Sequence, residues 1–489
     1  PAGHQTEDGY DTIEWVALQP WCNEMVGMVG ESYHGFSQLA AAQSRPPHLK
    51  AICPFQTSWT KFPAIYDFGV FSNVLYGWIY GRALEREKYI ENTLSKEALE
   101  KMQYCMEHGE EQLKYLPLKD MPAANIPGVP GLDFQNELLE NIDNKEYLTK
   151  IGRVEGFEDV QVPCLILTGW YDFLRDKTIY NYVEFKKRGG SEACRDGTRL
   201  IIGPWTHGDQ LSQYVDGYDY GPEAACDNAG ITGKLISWFD YWMKGINSEY
   251  MSGAPVKLFV LGKNQWRDEY EWPLKRTKYV KYYLHSQGNA NSLSGNGYLS
   301  TEMPIDKFTD SYIHDPSNPV PGSTGEAGHF MIQDQRPNEQ RNDVLVYTSP
   351  AFTEETEITG PLQVELYASS SAIDTDFVGK LSDVHPDGRA INLGMKLIRA
   401  RYRDGETASF LEPEKVYKFI IDVGNISIVL PAGHKIRLDI TSSLFPDADV
   451  NLNTGGRVGF ETEYCSAVQK IYHDSEYPST VILPMIPQE

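Results

Sequence analysis

The stretch VGMVGESYHG, residues 26–35, constrains the fold more than any other part of this chain. Val26-Gly27-Met28-Val29 reads as the end of a buried strand. Phe36-Ser37-Gln38-Leu39-Ala40-Ala41-Ala42 reads as a helix rich in good helix formers. A serine on a sharp strand-to-helix turn is held with its hydroxyl exposed at the carboxyl edge of a sheet. Gly30, two residues earlier, is expected to relieve crowding against the neighbouring strand. Ser32 is therefore the candidate nucleophile. The match to the general Gly-x-Ser-x-Gly elbow is imperfect, because His34 takes the place of the second glycine and Gly35 follows one residue late. Glycine-serine turns before helices also occur as plain N-caps, so the stretch alone leaves two readings.

Acyl transfer by serine needs a base for the hydroxyl proton and a carboxylate to orient that base. In an α/β-hydrolase these follow the serine in the order acid, then histidine, each on a loop after a sheet strand. Val162-Pro163-Cys164-Leu165-Ile166-Leu167-Thr168 reads as a buried strand running into Gly169-Trp170-Tyr171-Asp172, and Thr198-Arg199-Leu200-Ile201-Ile202-Gly203 as another running into Pro204-Trp205-Thr206-His207. Asp172 and His207 thus fall at strand ends, where open α/β sheets place their ligands. Of eleven histidines, only His207 has this setting. Asp176 reads as a solvated helix residue and Asp209 as a turn or cap residue. The backbone N–H of Tyr33 supplies one oxyanion donor, and Phe173 and Leu174 are expected beside the site.

The rest of the chain divides around this framework. Residues 1–60 and 158–254 carry α/β texture, and 61–157 read as an inserted helical cap. Residues 255–489 read as a jelly-roll β-sandwich of many short antiparallel strands. Ser32 comes early for an elbow serine. Several strands and a helix, on the order of 60 to 100 residues by ordinary element lengths, are expected ahead of it. The strand at Val26–Val29 is accordingly expected to form an open sheet edge.

Composition excludes several classes. No apolar run approaches the ~18 residues of a membrane span. A net charge of −24 disfavours nucleic acid, which needs a basic face. Seven cysteines without paired spacing read as ordinary thiols, which points to the cytoplasm. No metal or cofactor is implied, a small-molecule ester or amide is the expected partner, and a homo-oligomer is left open.

Trp21-Cys22-Asn23-Glu24-Met25 together with the elbow, Gly169-Trp170-Tyr171-Asp172 and Gly203-Pro204-Trp205-Thr206-His207 resemble the cocaine-esterase and X-prolyl dipeptidyl-peptidase family. Asp374-Thr375-Asp376-Phe377, Pro386-Asp387-Gly388-Arg389-Ala390, Arg401-Tyr402-Arg403 and Asn453-Thr454-Gly455-Gly456 extend the likeness over essentially the whole chain. In that family the late glycine is the rule. The resemblance implies an α/β-hydrolase with a mostly parallel, doubly wound sheet, a helical cap and a C-terminal jelly roll. It also implies a serine hydrolase that cleaves esters or amides through an acyl-enzyme. Trp78 resembles an acyl-pocket tryptophan of the family. Its amino-terminal strands, with a tyrosine that serves as second oxyanion donor, have no counterpart here. The family's α-amino-acid ester hydrolases carry an acidic pair after the catalytic aspartate, where this chain has Leu174 and Arg175. An X-prolyl dipeptidyl peptidase or a β-lactam acylase is the alternative within the class. A catalytically weak module that binds through the jelly roll is the alternative outside it.

Overall fold

The computed structural model describes residues 4–59, 66–67, 70–71, 74–126, 129, 133–142, 144, 146–147, 156–322, 332–405 and 407–487. A first sheet contains β1 (Val26–Glu31), β2 (Leu49–Phe55), β3 (Leu165–Tyr171), β4 (Arg199–Thr206), β5 (Val256–Val260) and β6 (Gln265–Glu269), side by side in chain order. β1 to β5 run parallel, and β6 returns antiparallel to β5. Among the described residues β1 is an edge strand, paired only with β2, and Val29 is half-exposed.

Alternation along these strands buries both faces. Ile52, Ile166, Leu200 and Ile202 join a core with Ile13 of α1 (Gln5–Ala17), Leu39 and Ala42 of α2 (Tyr33–Gln43) and residues of the helix Arg175–Arg188. Ala51, Cys53, Leu165, Leu167 and Ile201 face the opposite way, onto Ile231 and Trp238 of the helix Ile231–Lys244. Each fully buried Leu or Ile contributes about 1.5–3 kcal/mol relative to exposure. A one-residue slip would turn every such side chain to the wrong face, so the pattern fixes the register.

Between β2 and β3 the chain leaves the sheet for α3 (Val74–Arg86), α4 (Lys96–Glu107) and α5 (Asp133–Glu140). Tyr76, Tyr80, Met102, Leu138 and Leu139 form a separate core there, which takes in Val458 from the C-terminal region. The helical stretch Lys96–Leu113 is two helices, Lys96–Glu107 and Gly109–Leu113. His108 Nδ1 and N both approach the Tyr104 carbonyl, at 2.9 and 3.0 Å, and the ladder breaks before Gly109–Leu113. In the proline-rich stretch after Met121, residues 127, 128 and 130–132 lie outside those described. α6 (Arg175–Arg188) follows β3, and α7 (Ile231–Lys244) follows β4.

The C-terminal region is a jelly-roll-like sheet of eleven strands. They are β7 (Lys278–His285), β8 (Tyr298–Ser300), β9 (Thr309–His314), β10 (Leu345–Thr348), β11 (Thr356–Ser370), β12 (Asp376–Val384), β13 (Ala390–Arg399), β14 (Tyr417–Leu430), β15 (Lys435–Thr441), β16 (Ala467–Tyr472) and β17 (Thr480–Ile486). Their order is β9-β16-β11-β17-β7-β8-β10-β15-β12-β13, with β14 on β11. β5 and β6 fall on the other side of the division expected at residue 255. Val256 pairs parallel with Leu200 and Glu269 antiparallel with Val256, which assigns both strands to the first sheet.

The motifs of this region build a buried polar knot. Arg399 Nε meets Asp376 Oδ1 at 3.0 Å, Arg401 Nη2 meets Asp374 Oδ2 at 2.7 Å, and Asn451 donates to both carboxylates. The two regions also pack together. Leu261 N donates to Ser427 O at 3.0 Å, and Arg267 and Glu357 form a bidentate pair. No helix among the described residues is long and apolar enough to cross a membrane.

Candidate active site

Ser32 leaves β1 with φ 57° and ψ −118°, and its side chain makes no capping hydrogen bond to α2. A plain N-cap serine is extended and accepts from the N2 or N3 amide, so the N-cap reading fails. A non-glycine residue held at positive φ stores about 1–3 kcal/mol of strain, and here it stands on a strand-to-helix turn, the setting of a nucleophile elbow. The glycines act differently from expectation. A Cβ on Gly30 would stand 2.7 Å from His34 Cβ, so Gly30 clears the helix that follows rather than the neighbouring strand. A Cβ on Gly35 would stand 2.7 Å from Thr57 Cγ2, because α2 starts against the loop after β2. The glycine is needed at 35, and His34 at the earlier place is exposed.

Asp172 and His207 come from the ends of adjacent parallel strands, β3 and β4. His207 Nδ1 lies 3.1 Å from Asp172 Oδ1, with the carboxylate fully buried and the imidazole 16% exposed. Leu174 N also donates to Asp172 Oδ1 at 2.8 Å, which fixes the acid at the start of α6. Engaging Nδ1 leaves Nε2 as the ring nitrogen turned away from the carboxylate. Ser32 and His207 make no direct hydrogen bond among the described residues. Instead, one loop holds both. Thr57 Oγ1 donates to Ser32 O at 2.7 Å. Its neighbour Gln56 donates through Nε2 to Thr206 O at 2.6 Å and accepts from Gly208 N at 2.9 Å, gripping the chain on either side of His207.

Gln56 was not singled out by sequence, although it ends a parallel strand as Asp172 and His207 do. It is fully buried and itself at φ 47°. Gln56→Ala is expected to lower kcat by about 10²-fold, the usual cost of an ångström-scale misplacement of a catalytic group. KM should change little, and steady-state kinetics on one ester check the split.

Burial draws the His207 pKa down, but the Asp172 carboxylate, its hydrogen bond and the charge of Glu31 outweigh it, so the net direction is upward. Glu31 approaches the same loop, with Oε1 3.4 Å from where a Cβ on Gly208 would stand. A raised pKa keeps the imidazole protonated to higher pH, and only the neutral ring accepts the serine proton. The acid limb of the rate profile should therefore lie above the ordinary histidine value, and Glu31→Gln should shift it to lower pH. A profile unmoved by Glu31→Gln would contradict this.

The other expected residues divide. Phe173 packs on His207 with ring centroids 4.6 Å apart. Leu174 is buried. Tyr33 opens α2, so its amide lies at the positive end of the helix. Trp78 is 53% exposed and lies outside the cap core that Tyr76 and Tyr80 build. Asp176 is no free helix residue. It pairs with Arg175 at 3.0 Å and accepts from Asn425 N at 2.7 Å, tying α6 to β14. Asp209 is exposed in the turn beyond His207.

Two family models and several known proteins resemble this chain. The family described as X-Pro dipeptidyl-peptidase (S15 family) matches residues 2–209. Its companion, the X-Pro dipeptidyl-peptidase C-terminal non-catalytic domain, matches residues 249–482. Cocaine esterase of Rhodococcus sp. (strain MB1 Bresler) is 34% identical over 494 residues, covering 98% of this chain and 84% of that protein. An aminopeptidase from a marine-sediment Thaumarchaeota archaeon superposes with a TM-score of 0.78 at 23% identity, over 99% of this chain and 80% of that one. A CocE/NonD family hydrolase from Staphylococcus aureus gives a TM-score of 0.67 at 16% identity, over 99% and 76%.

Proposed function

Because this chain belongs to the X-Pro dipeptidyl-peptidase (S15) family of serine hydrolases, together with the CocE/NonD hydrolases, we infer that it cleaves carboxylic esters through an acyl-enzyme on Ser32. In this reading Ser32 Oγ attacks the ester carbonyl while His207 Nε2 takes its proton. Asp172 orients the imidazole and balances the charge of the imidazolium. The Tyr33 N–H binds the oxyanion. His207 then protonates the leaving alcohol, and water repeats the sequence to free the acid. Phe173 lines the acyl side, and Trp78 is the cap residue nearest in kind to a pocket wall. The observation that carries the proposal is the strained backbone of Ser32, with a hydroxyl not spent on capping.

The residues after Asp172 favour neutral acyl groups. An α-ammonium substrate needs an anion there, whereas Arg175 points its guanidinium at Trp170 O (2.8 Å) and Asp176. A second reading, cleavage of aminoacyl or X-prolyl substrates, draws on Glu31, a carboxylate adjacent to the nucleophile. One preparation tested on aryl esters, aminoacyl esters, cephalosporins and prolyl dipeptide anilides separates them. Neutral aryl esters are expected to show the highest kcat/KM. The second reading wins if amine-bearing substrates are preferred and Glu31→Gln raises their KM alone.

A further inference from the structure

Away from the candidate active site, the jelly roll brings three metal-ligating side chains to one point. We propose that Asp383, His385 and His434 bind a divalent transition metal, zinc by the chemistry of the donors. Local structure dictates the convergence. Asp383 lies near the end of β12, and alternation projects His385, two residues on, from the same face. β15 runs antiparallel beside β12, with Asp383 opposite Ile436 and Val384 opposite Lys435. The next residue back, His434, therefore falls opposite His385.

The donor atoms of all three lie within 4.8 Å of one another. His434 Nδ1 is 2.8 Å from Asp383 Oδ1, and His385 Nε2 is 3.4 Å from Asp383 Oδ2. The two imidazoles are tilted by 47°, with centroids 4.6 Å apart. Donors on one tetrahedral zinc, bound at about 2.0–2.1 Å, stand about 3.3 Å from each other. The three donors thus stand within about 1.5 Å of the spacing a tetrahedral ion imposes.

Both histidines sit in turns that hold them still. His385 N donates to Arg389 O at 2.9 Å, and Phe352 N donates to His434 O at 2.9 Å. The nearby Arg389 guanidinium is engaged by Asp387 at 2.8 Å, which offsets its charge toward an incoming cation. His385 keeps 24% of its side chain exposed, while Asp383 and His434 keep 8% and 12%. That leaves an entry path from solvent on the His385 side. Two imidazoles and one carboxylate, without thiolate, match zinc and its neighbours rather than calcium or magnesium, which take all-oxygen shells. Such a metal would clamp the β12–β13 turn to the segment before β15, within a domain whose family description is non-catalytic.

The test uses the full chain, stripped of metal by chelator and dialysis, then titrated with Co²⁺ and back-titrated with Zn²⁺. One equivalent of Co²⁺ is expected to develop a visible d–d band that one equivalent of Zn²⁺ bleaches. His385→Ala and His434→Ala should each weaken binding by on the order of 100-fold or more. His385→Glu, which restores a donor, should recover part of it with a shifted band. Ser32→Ala and His207→Ala should bind like the parent chain. Circular dichroism checks that the variants fold, and His385 is suited to this because it lies in a partly exposed turn. The proposal is overturned if no one-equivalent endpoint appears. It is equally overturned if binding survives both alanine variants or is lost with His207→Ala.

Discussion

Ser32→Ala is expected to reduce kcat by on the order of 10⁴-fold or more while leaving the fold intact. The substitution removes one oxygen from a half-buried turn, creates no core cavity, and breaks no hydrogen bond among the described residues, since the hydroxyl caps nothing. His207→Ala should cost about as much. The double variant should be little worse than either, because groups that act as one unit are not additive. Stopped assays on an aryl ester, with unfolding curves beside them, check both parts. Activity retained in Ser32→Ala would remove the elbow from the mechanism.

Asp172→Asn is the second large effect, with kcat falling by about 10⁴-fold. Asp172 Oδ1 accepts from Leu174 N and faces His207 Nδ1. An amide in its place can turn its NH₂ toward the ring, which would then present the wrong nitrogen protonated. The buried site also loses the negative charge that stabilises the imidazolium. Asp172→Glu should not restore activity, because the carboxylate is fully enclosed and an extra methylene must displace Leu174 or His207. Burst kinetics separate the two steps, and loss of the acylation burst itself is the expected signature.

Much of this was legible because the first sheet is buried on both faces. Its strands are short apolar runs that end in Ser32, Asp172 and His207, and the carboxyl-edge rule assigns each a place. The late glycine at 35 was readable as a pattern but not as a cause, since the clash it avoids is with Thr57 on another strand's loop. Gln56 was missed for the same reason. Its two bonds around His207 span 150 and 152 residues, and nothing local distinguishes it from any polar residue after a strand. β5 and β6 follow residue 255 yet join the first sheet, because the partner of Val256 is Leu200, which no local pattern announces. The two histidines beside Asp383 stand in separate turns, so only the register of β12 against β15 unites them. Trp78 could not be placed from sequence, because a helical tryptophan gives the same signal whether it packs inward or, as here, stands exposed.

The most direct test of the central claim is fluorophosphonate labelling of the full chain followed by peptide mass spectrometry. An activated serine attacks phosphorus, and an idle hydroxyl does not. One adduct per chain on the peptide containing Ser32 is predicted, with loss of esterase activity in step with labelling and no adduct in His207→Ala. No labelling, or an adduct on another serine with activity intact, would contradict a Ser32–His207–Asp172 hydrolase and favour a binding role for the jelly roll.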